Sequence, residues 1–459
     1  MFNPKLKRVP LAVAALVACA AAHADYSSPD GRFSLSGFGT LGYARSSTDD
    51  AFYNYRGQGG GADTEGSLGT DSKVGVQGTY RVTPTLSGTV QAMSKLTPDG
   101  DYGPAIEWAF GKWQAAPAFT IRAGRMGAPY FMLSDFREVN FAVTSVRPSM
   151  DVYSQVAVTT FEGADATYQF NLGSAVINSS VWMGRSAAPY ALDLPQNRAP
   201  SNITINNIIG LNVTAEFDNG LSLRLGHAQG KLTVSSEGSA AIAAGAASLG
   251  ARLSAVPGNP FASTVQQYMD VHDALTARGR DATFSGIGFS YDEDGWVASG
   301  ELTRRRTKTY VADTTGVSGL VGYRIGKFTP FVGPSRLKTD KRHSSVAPQS
   351  LPSAYLSAVT ALAGADAAAR LASAAGSVYY GSRFVMDTQK VDEKTVSLGV
   401  RWDARSNLAL KAQFDRISKP SDAAGLFLAP LGKLVATNNA WVNNAQSVNV
   451  VSVSVDFLF

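Results

Sequence analysis

Few residues in this chain are of the types that carry out covalent or metal chemistry. Its 459 residues include one cysteine and four histidines, and the cysteine and one histidine lie within the first 24. The remaining histidines are His227, His272 and His343. Hydrolytic chemistry would require one of them beside a nucleophilic serine. His227 lies on the same face of its strand as Leu223 and Leu225, but no local signal marks a partner serine, so we predict no catalytic residues.

Two short motifs resemble ligand sites but are better explained by strand and turn structure. Gly37-Phe-Gly-Thr-Leu-Gly42 matches the G-x-G-x-x-G pattern, yet a phosphate site would need a helix to open at Gly42. Strand alternation instead continues to Tyr43, which indicates close backbone packing or a bend in a tilted strand. Asp292-Glu-Asp-Gly295 lacks the further oxygen ligands of a calcium loop and predicts a tight turn. We therefore predict no cofactor-binding and no metal-binding residues.

The first 24 residues have the pattern of a secretory signal peptide. A basic segment, 5–8, precedes a short apolar stretch that ends in the small-x-small site Ala22-His-Ala24. The apolar stretch is well short of the ~20 residues that a spanning helix requires. We predict cleavage between Ala24 and Asp25, which divides the chain into a signal peptide, 1–24, and one domain, 25–459. The alternative is a lipoprotein processing box in which Cys19 is acylated.

Composition narrows the function classes further. Removing residues 1–24 takes away three basic residues and no acidic ones, so the net charge falls from +5 to +2. No cysteine remains, which excludes disulfides and thiolate metal sites. A nearly neutral chain is not expected to bind nucleic acid. No later apolar run is long enough for a membrane helix, so an exported chain of this kind could span a membrane only by strands.

The carboxyl-terminal segment has the clearest strand pattern. Val451, Val453, Val455, Phe457 and Phe459 fall on one face of an extended strand. The opposite face carries Ser452, Ser454 and Asp456. An apolar stripe with a polar reverse is typical of a strand between lipid and water.

Similar alternation recurs along the whole chain and predicts sixteen strands. They are Arg32–Ala44, Ser72–Val82, Thr85–Lys95, Ala105–Gln114, Ala118–Arg125, Val158–Phe170, Ser174–Arg185, Asn202–Phe217, Leu221–Lys231, Ala282–Tyr291, Trp296–Arg306, Val317–Ile325, Phe328–Lys338, Lys394–Trp402, Leu408–Ile417 and Gln446–Phe459. Seven short turns alternate with eight longer loops, which is the arrangement of a membrane-spanning barrel. Within the longest loops, Ser239–Leu253 and Tyr355–Ala375 have helical composition and predict short helices or caps over the barrel mouth.

Aromatic residues cluster beside the short turns, as expected of a girdle at one membrane interface. They are Tyr80, Phe170, Phe217, Tyr291, Trp296, Phe328 and Trp402.

With these features the chain resembles the general porins of Gram-negative outer membranes. The resemblance rests on the signal peptide, on the first strand Phe33–Tyr43, on the last strand ending at Phe459, and on Tyr130–Arg137 and Val146–Tyr153 of the third long loop. It implies an all-β fold: a transmembrane antiparallel β-barrel of about 16 strands whose third loop folds into the lumen. Loops 232–281 and 339–393 exceed the usual porin lengths, so the outer mouth is not predicted by the resemblance.

The resemblance also implies a function and partners. The expected function is a non-enzymatic, water-filled channel in the outer membrane for passive diffusion of ions and small hydrophilic solutes. Expected partners are outer-membrane lipid and lipopolysaccharide, two further copies in a homotrimer, and the barrel-assembly machinery, for which Phe459 would be the recognition signal. The alternatives are a substrate-selective porin with a defined solute site, an outer-membrane barrel enzyme, and an adhesin or receptor.

Alternation also predicts which charges point into the lumen. They are Lys73, Arg81, Arg122, Arg224, Arg324, Arg401 and Lys411, with Glu107, Asp165, Glu216, Glu301, Asp415 and Asp456. In porins, carboxylates of the third loop face basic residues across a constriction. By position, the resemblance implies Asp135 and Glu138 on the acidic side and Lys73, Arg81 and Arg122 on the basic side. The near balance of charges predicts no strongly single-signed channel.

Overall fold

The computed structural model describes residues 26–55, 57–191, 201–430 and 439–459. The predictions on the signal peptide, on cleavage between Ala24 and Asp25 and on acylation of Cys19 lie outside these residues.

Sixteen long strands dominate the described part of the chain, as predicted. They are β1 (Phe33–Ser46), β2 (Lys73–Arg81), β3 (Leu86–Leu96), β4 (Tyr102–Ala116), β5 (Phe119–Gly127), β6 (Thr160–Leu172), β7 (Ala175–Tyr190), β8 (Ser201–Phe217), β9 (Leu221–Ser235), β10 (Arg280–Glu293), β11 (Trp296–Thr307), β12 (Asp313–Tyr323), β13 (Phe328–Lys341), β14 (Glu393–Arg405), β15 (Leu408–Lys419) and β16 (Gln446–Leu458). A two-residue strand, Tyr26–Ser27, pairs with the start of β1.

The strands form one closed antiparallel barrel. Each pairs with its neighbours in the chain, and β16 pairs with β1 through contacts such as Val453 with Tyr43 and Phe457 with Gly39. Closure removes both sheet edges, so every strand has a partner on each side. No helix in the described residues has the length and apolar character needed to cross a membrane.

Large apolar side chains cover the outside of this barrel. On β16, Val451 and Val453 are 52% and 45% exposed, whereas Ser452 and Asp456 on the other face are fully buried. The same division runs round the barrel, where Leu225, Ile287 and many others are exposed. An apolar outer belt with a polar interior is the pattern of a barrel surrounded by lipid.

Aromatic rings mark the short-turn end of the belt. Five of the seven rings predicted for a girdle are exposed, and the other two are partly exposed. Phe328 stacks on Trp402 at 5.8 Å, and Trp296 meets Tyr323 edge-on at 5.0 Å between ring centroids. Rings of this kind prefer the interface between lipid and water.

The glycines of Gly37-x-Gly-x-x-Gly42 lie at the seam that closes the barrel. A Cβ atom at Gly37 would collide with the ring of Phe459, and one at Gly39 with the ring of Phe457. At Gly42 it would lie 2.5 Å from the Cβ of Asp71. Close packing therefore explains the motif, against carboxyl-terminal aromatic rings at Gly37 and Gly39 and against Asp71 at Gly42.

Helices occur in the long loops. They are α1 (Met150–Tyr153), α2 (Glu237–Ser254), α3 (Ala262–Leu275), α4 (Ser353–Ala363), α5 (Ala365–Asp387) and α6 (Ala440–Asn443). Helices α2, α3 and α5 share an apolar core that includes Leu253, Tyr268 and Val378. The helix predicted over Tyr355–Ala375 is two helices, because Gly364 has a φ of +87° that breaks the helical backbone.

Candidate functional site

The site is built around loop 3, residues 128–159, which connects β5 to β6. Its amino-terminal part is held by aromatic packing against the wall. Tyr130 meets Trp182 edge-on at 5.3 Å and Phe284 at 5.6 Å between ring centroids, and Phe131 stacks on Tyr153 at 4.6 Å. Trp182 and Phe284 have the parity of the polar, inner face, so the loop begins against the inside of β7 and β10.

The same loop is also bonded to residues on both sides of the β1–β16 seam. The Arg147 guanidinium donates two hydrogen bonds to Asp71, at 2.8 and 2.6 Å, and one to Asp415 at 3.3 Å. It also donates to Ser452 at 2.7 Å and to the hydroxyl of Tyr53 at 3.1 Å. All five residues are buried, so one arginine joins loop 3 to β15, to β16 and to loop 1, residues 47–72.

Electrostatics in this Arg147 cluster favour the charged guanidinium. Burial would lower the pKa of Arg147, but Asp71 and Asp415 outweigh burial and raise it well above its ordinary value. The pKa of Tyr53 is also raised, chiefly by burial, so its hydroxyl stays protonated. Buried charges of opposite sign in direct contact hold the loop only while every member is present.

Two basic residues of the inner wall bind loop 3 through its backbone carbonyls. Lys411 donates to the carbonyls of Asn140 and Ser145 at 2.6 and 3.0 Å, and pairs with Asp456 at 2.9 Å. Arg401 donates to the carbonyls of Phe141 and Val143 at 2.6 and 3.1 Å. These contacts confirm the inward direction predicted for Lys411, Arg401, Asp415 and Asp456.

Glu138, a predicted constriction residue, is part of a compact charged cluster. Its carboxylate accepts from Lys73 at 3.0 Å and from Lys95 at 3.2 Å, and Lys95 also pairs with Glu107 at 3.2 Å. Burial would raise the pKa of Glu138, but Lys73, Lys95 and Arg137 outweigh it and hold that pKa well below its usual range. Lys73 and Glu138 are therefore brought together.

Asp135 is placed differently from Glu138. Its side chain is exposed and interacts electrostatically with Arg122 and Arg224. Arg122 itself pairs with Asp165 at 2.6 Å, and Arg224 donates to the carbonyl of Pro129 at 2.6 Å. Arg122 thus faces the loop but is already neutralised by a neighbour on the wall.

Arg81 is not brought to this cluster. It ends β2 beside the short turn, is exposed, and its side chain forms no ion pair within the described residues. The contacts of loop 3 do not involve this predicted constriction residue.

Sequence reasoning missed the most connected residue, Arg147, as a site residue, and it missed Lys95. Asp71 and Asp415 lie 76 and 268 positions from Arg147, and no local pattern links such distant residues. A signal did exist for Lys95, since the strand register places it directly opposite Lys73 and residues paired in this way share a face.

Beside loop 3 lies a cavity of about 640 Å³. Its lining combines loop residues such as Phe136 and Phe141 with hydroxyls and charges of β10 to β15, including Ser299, Ser397 and Arg401. The loop thus leaves open space against a hydroxyl-rich wall, where water and polar solutes can be accommodated.

His227 has a serine neighbour on the outer wall. Its Nδ1 lies 2.8 Å from the Oγ of Ser285, the residue directly opposite on β10. No other hydrogen bond or ion pair of the His227 side chain occurs among the described residues, so the pair has no third member to orient the ring. No group of three or more potential metal ligands is found in the described part of the chain.

The closed barrel, its apolar outer belt and its charged interior define a β-barrel protein of the outer-membrane type. No protein-family model matches the chain, and no curated protein matches it in sequence.

Several solved structures are similar to this chain in fold, at low sequence identity. OmpF of Salmonella typhi, solved with daunomycin, is 11% identical, covers 94% of this chain and 99% of its own, and has a TM-score of 0.49. The outer membrane channel DcaP of Acinetobacter baumannii is 9% identical, with coverages of 95% and 100% and a TM-score of 0.48. An anion-selective porin from Comamonas acidovorans is 12% identical, with coverages of 93% and 99% and a TM-score of 0.45.

Proposed function

We propose that this protein is an outer-membrane porin, a water-filled channel through which ions and small hydrophilic solutes diffuse passively. The observation that carries the proposal is the attachment of loop 3 to the inner wall on two sides, by Tyr130 at β7 and β10 and by Arg147 at β15 and β16. A loop fixed in this way would narrow the lumen, and the adjoining cavity of about 640 Å³ would provide space for water and solute beside it. Transport through such a pore requires no cofactor and no chemical step.

Selection among solutes would follow from size and from the field across the narrowest point. Asp135 is exposed and interacts electrostatically with Arg122 and Arg224, which supports a transverse field at that level. The Lys73 Nζ and a Glu138 carboxylate oxygen lie 3.0 Å apart, so the two charges neutralise each other. We therefore assign this pair to fixing loop 3 as much as to the screening of solutes by charge. Arg81 would face passing solutes nearer the short-turn end of the pore.

The setting of the channel is also part of the proposal. The short turns would face the periplasm, after export by the signal peptide, and the loops and helices would face outside. Assembly as a homotrimer, insertion by the barrel-assembly machinery through Phe459, and contact with lipopolysaccharide are proposed from the same architecture.

Solute uptake by liposomes tests the channel most simply. Liposomes that contain the purified protein should swell in isotonic solutions of small sugars, and the rate should fall steeply as solute size increases. Equal swelling in liposomes with and without the folded protein would contradict the proposal.

The hydrogen bond between His227 and Ser285 favours one second candidate, an acyl hydrolase acting on membrane lipid. Such an enzyme would use Ser285 as nucleophile and His227 as base. A fluorophosphonate probe should then label the wild-type protein and not Ser285→Ala. Absence of labelling in folded wild-type protein would dismiss this candidate.

A further inference from the structure

A second cavity, of about 110 Å³, lies between loop 3 and the inner wall of β8 to β11. On the wall side it is lined chiefly by aliphatic side chains, although the inner face of a water-filled barrel is expected to be polar. They are Ile203, Ile205, Ala228, Leu232 and Val234. We call this space the apolar cavity.

The strand register places the apolar cavity inside the barrel. Ala228 pairs with Phe284, whose ring meets Tyr130 of loop 3 at 5.6 Å between centroids. Leu232 lies on the same face of β9 as Ala228, since alternate residues of a strand share a face, and it pairs with Ile205 on β8. A ligand in this cavity would therefore contact the interior of the barrel and not the surrounding lipid.

Loop 3 and the outer loops form the other sides of the cavity. Residues 154–158 of loop 3 line it, and Val156 and Val158 are buried. Tyr310 and Val311, in the connection between β11 and β12, line it as well. Both pack in the apolar core that includes α2, α3 and α5. A ligand would thus meet apolar groups of the wall, of loop 3 and of the helical cap.

One polar group of the lining is left without a hydrogen bond. Arg305 donates to the carbonyls of Gln155 and Ala312 at 2.6 and 2.8 Å, and the hydroxyl of Thr307 donates to a carbonyl of the outer loop at 2.6 Å. Tyr310 is 2% exposed, and its hydroxyl lies near Ser239 but forms no hydrogen bond of ordinary length among the described residues. A buried donor of this kind is unfavourable unless a ligand satisfies it.

The size of the apolar cavity suits a single aromatic ring. Cavities of roughly 150 Å³ that are lined by aliphatic and aromatic side chains stay dry and bind benzene. The apolar cavity is somewhat smaller, but it is only partly enclosed, so a ring substituent can extend beyond it. Sugars and other solutes with many hydroxyls would lose hydrogen bonds to water on entering it.

We propose that the apolar cavity is a binding site for small neutral phenols. The ring of the phenol would pack against Leu232, Ile205 and Phe284, and its oxygen would accept a hydrogen bond from the hydroxyl of Tyr310. The inference deepens the proposed function, because it names a solute class that the lumen would retain, and it rests on that function for the route by which the solute arrives. Binding itself requires no conduction.

Equilibrium dialysis of phenol against the folded protein in detergent tests the site, with protein-free micelles as the reference. Wild type should bind one phenol per barrel, saturably and in excess of the micelles. Tyr310→Phe should weaken phenol binding about fivefold without weakening the binding of benzene, which cannot use the hydroxyl. Tyr268→Phe is the matched control, since the Tyr268 hydroxyl is also buried without a hydrogen bond but does not line the cavity. It should bind phenol like wild type.

A second variant tests the position of the site. Ala228→Leu places a larger side chain in the cavity and should abolish the binding of both phenol and benzene. Absence of saturable binding to wild type, unchanged phenol affinity in Tyr310→Phe, or an equal loss in Tyr268→Phe would overturn the proposal. The comparison of Tyr310→Phe with Tyr268→Phe decides even where Ala228→Leu does not fold. Folded protein that conducts but does not bind phenol would overturn this inference alone, and protein that binds phenol but does not conduct would overturn the channel alone.

Discussion

At the scale of single residues, the charges inside the barrel act mainly on one another and on loop 3. Arg147 is the centre of this arrangement, since it contacts two carboxylates, a serine and a tyrosine that come from three separate parts of the chain. Glu138 has a comparable role beside Lys73 and Lys95. The inner charges thus hold loop 3 against the wall, and in the proposed channel they would set the width of the pore through this loop.

Replacing Arg147 with methionine should therefore destabilise the protein. The substitution leaves Asp71 and Asp415 buried without their partner, which costs about 3–5 kcal/mol. We expect a lower temperature of heat unfolding in detergent and a noisier, wider channel in single-channel records. Arg185→Met is the matched control, because Arg185 forms an exposed pair with Glu162 at 2.8 Å and should change stability by less than about 1 kcal/mol. Equal stability of the Arg147 variant and wild type would contradict this role.

We expect the contribution of Glu138 to the stability of the folded protein to depend on pH. Its pKa is lowered on folding, so the stabilisation it provides is present above its ordinary pKa of 4.5 and is lost only as the pH falls through the lowered value. Glu138→Gln should unfold at a lower temperature than wild type at pH 7, and the difference should shrink in strong acid. A difference that stays constant from pH 7 to pH 2 would show that the carboxylate is not the cause.

Neutralising Asp135 tests the field across the pore. Asp135→Asn removes the exposed acidic group that interacts electrostatically with Arg122 and Arg224, so the reversal potential in a salt gradient should shift towards anions. Asp366→Asn, in the exposed start of α5, is the control and should leave the reversal potential unchanged. Identical shifts in both variants would show that Asp135 does not lie at the constriction.

At the scale of secondary-structure elements, the strands could be predicted throughout and the long loops only in part, since the helix predicted over Ser239–Leu253 is present as α2 (Glu237–Ser254). All sixteen predicted strands are present, because alternation is a local property that each segment displays on its own. Helix α3 (Ala262–Leu275) was missed, since it lies in a mixed polar segment and is stabilised by packing of Tyr268 and Val271 against α2 and loop residues. The division between α4 and α5 at Gly364 depends on one backbone angle.

The seam between β1 and β16 gives a test at this scale. Gly39→Ala places a methyl group against the ring of Phe457 and should destabilise the barrel by about 1–3 kcal/mol, measured as a lower heat-unfolding temperature. Gly111→Ala in β4 is the matched control, because a Cβ there meets nothing within 4 Å. If both variants unfold at the wild-type temperature, close packing does not account for the glycine at the seam.

At the scale of the whole molecule, the fold follows from a repeated pattern, while the site depends on contacts between distant segments. Closure joins Phe38 to Leu458, which are separated by almost the entire described chain. The inward direction of Lys73, Arg122 and Asp415 could be predicted from alternation. Their partners could not, because Glu138 and Arg147 reach them from a loop without a repeating pattern.

The interior as a whole combines charges of both signs in direct contact with an open cavity beside them. Such an interior suits a channel with modest preference between cations and anions.

Planar-bilayer recording of the purified, folded protein tests the central claim most directly. We expect stable conductance steps at low voltage that persist without any energy source and show only modest selectivity between cations and anions. Folded protein that inserts into the bilayer and gives no conductance would contradict it.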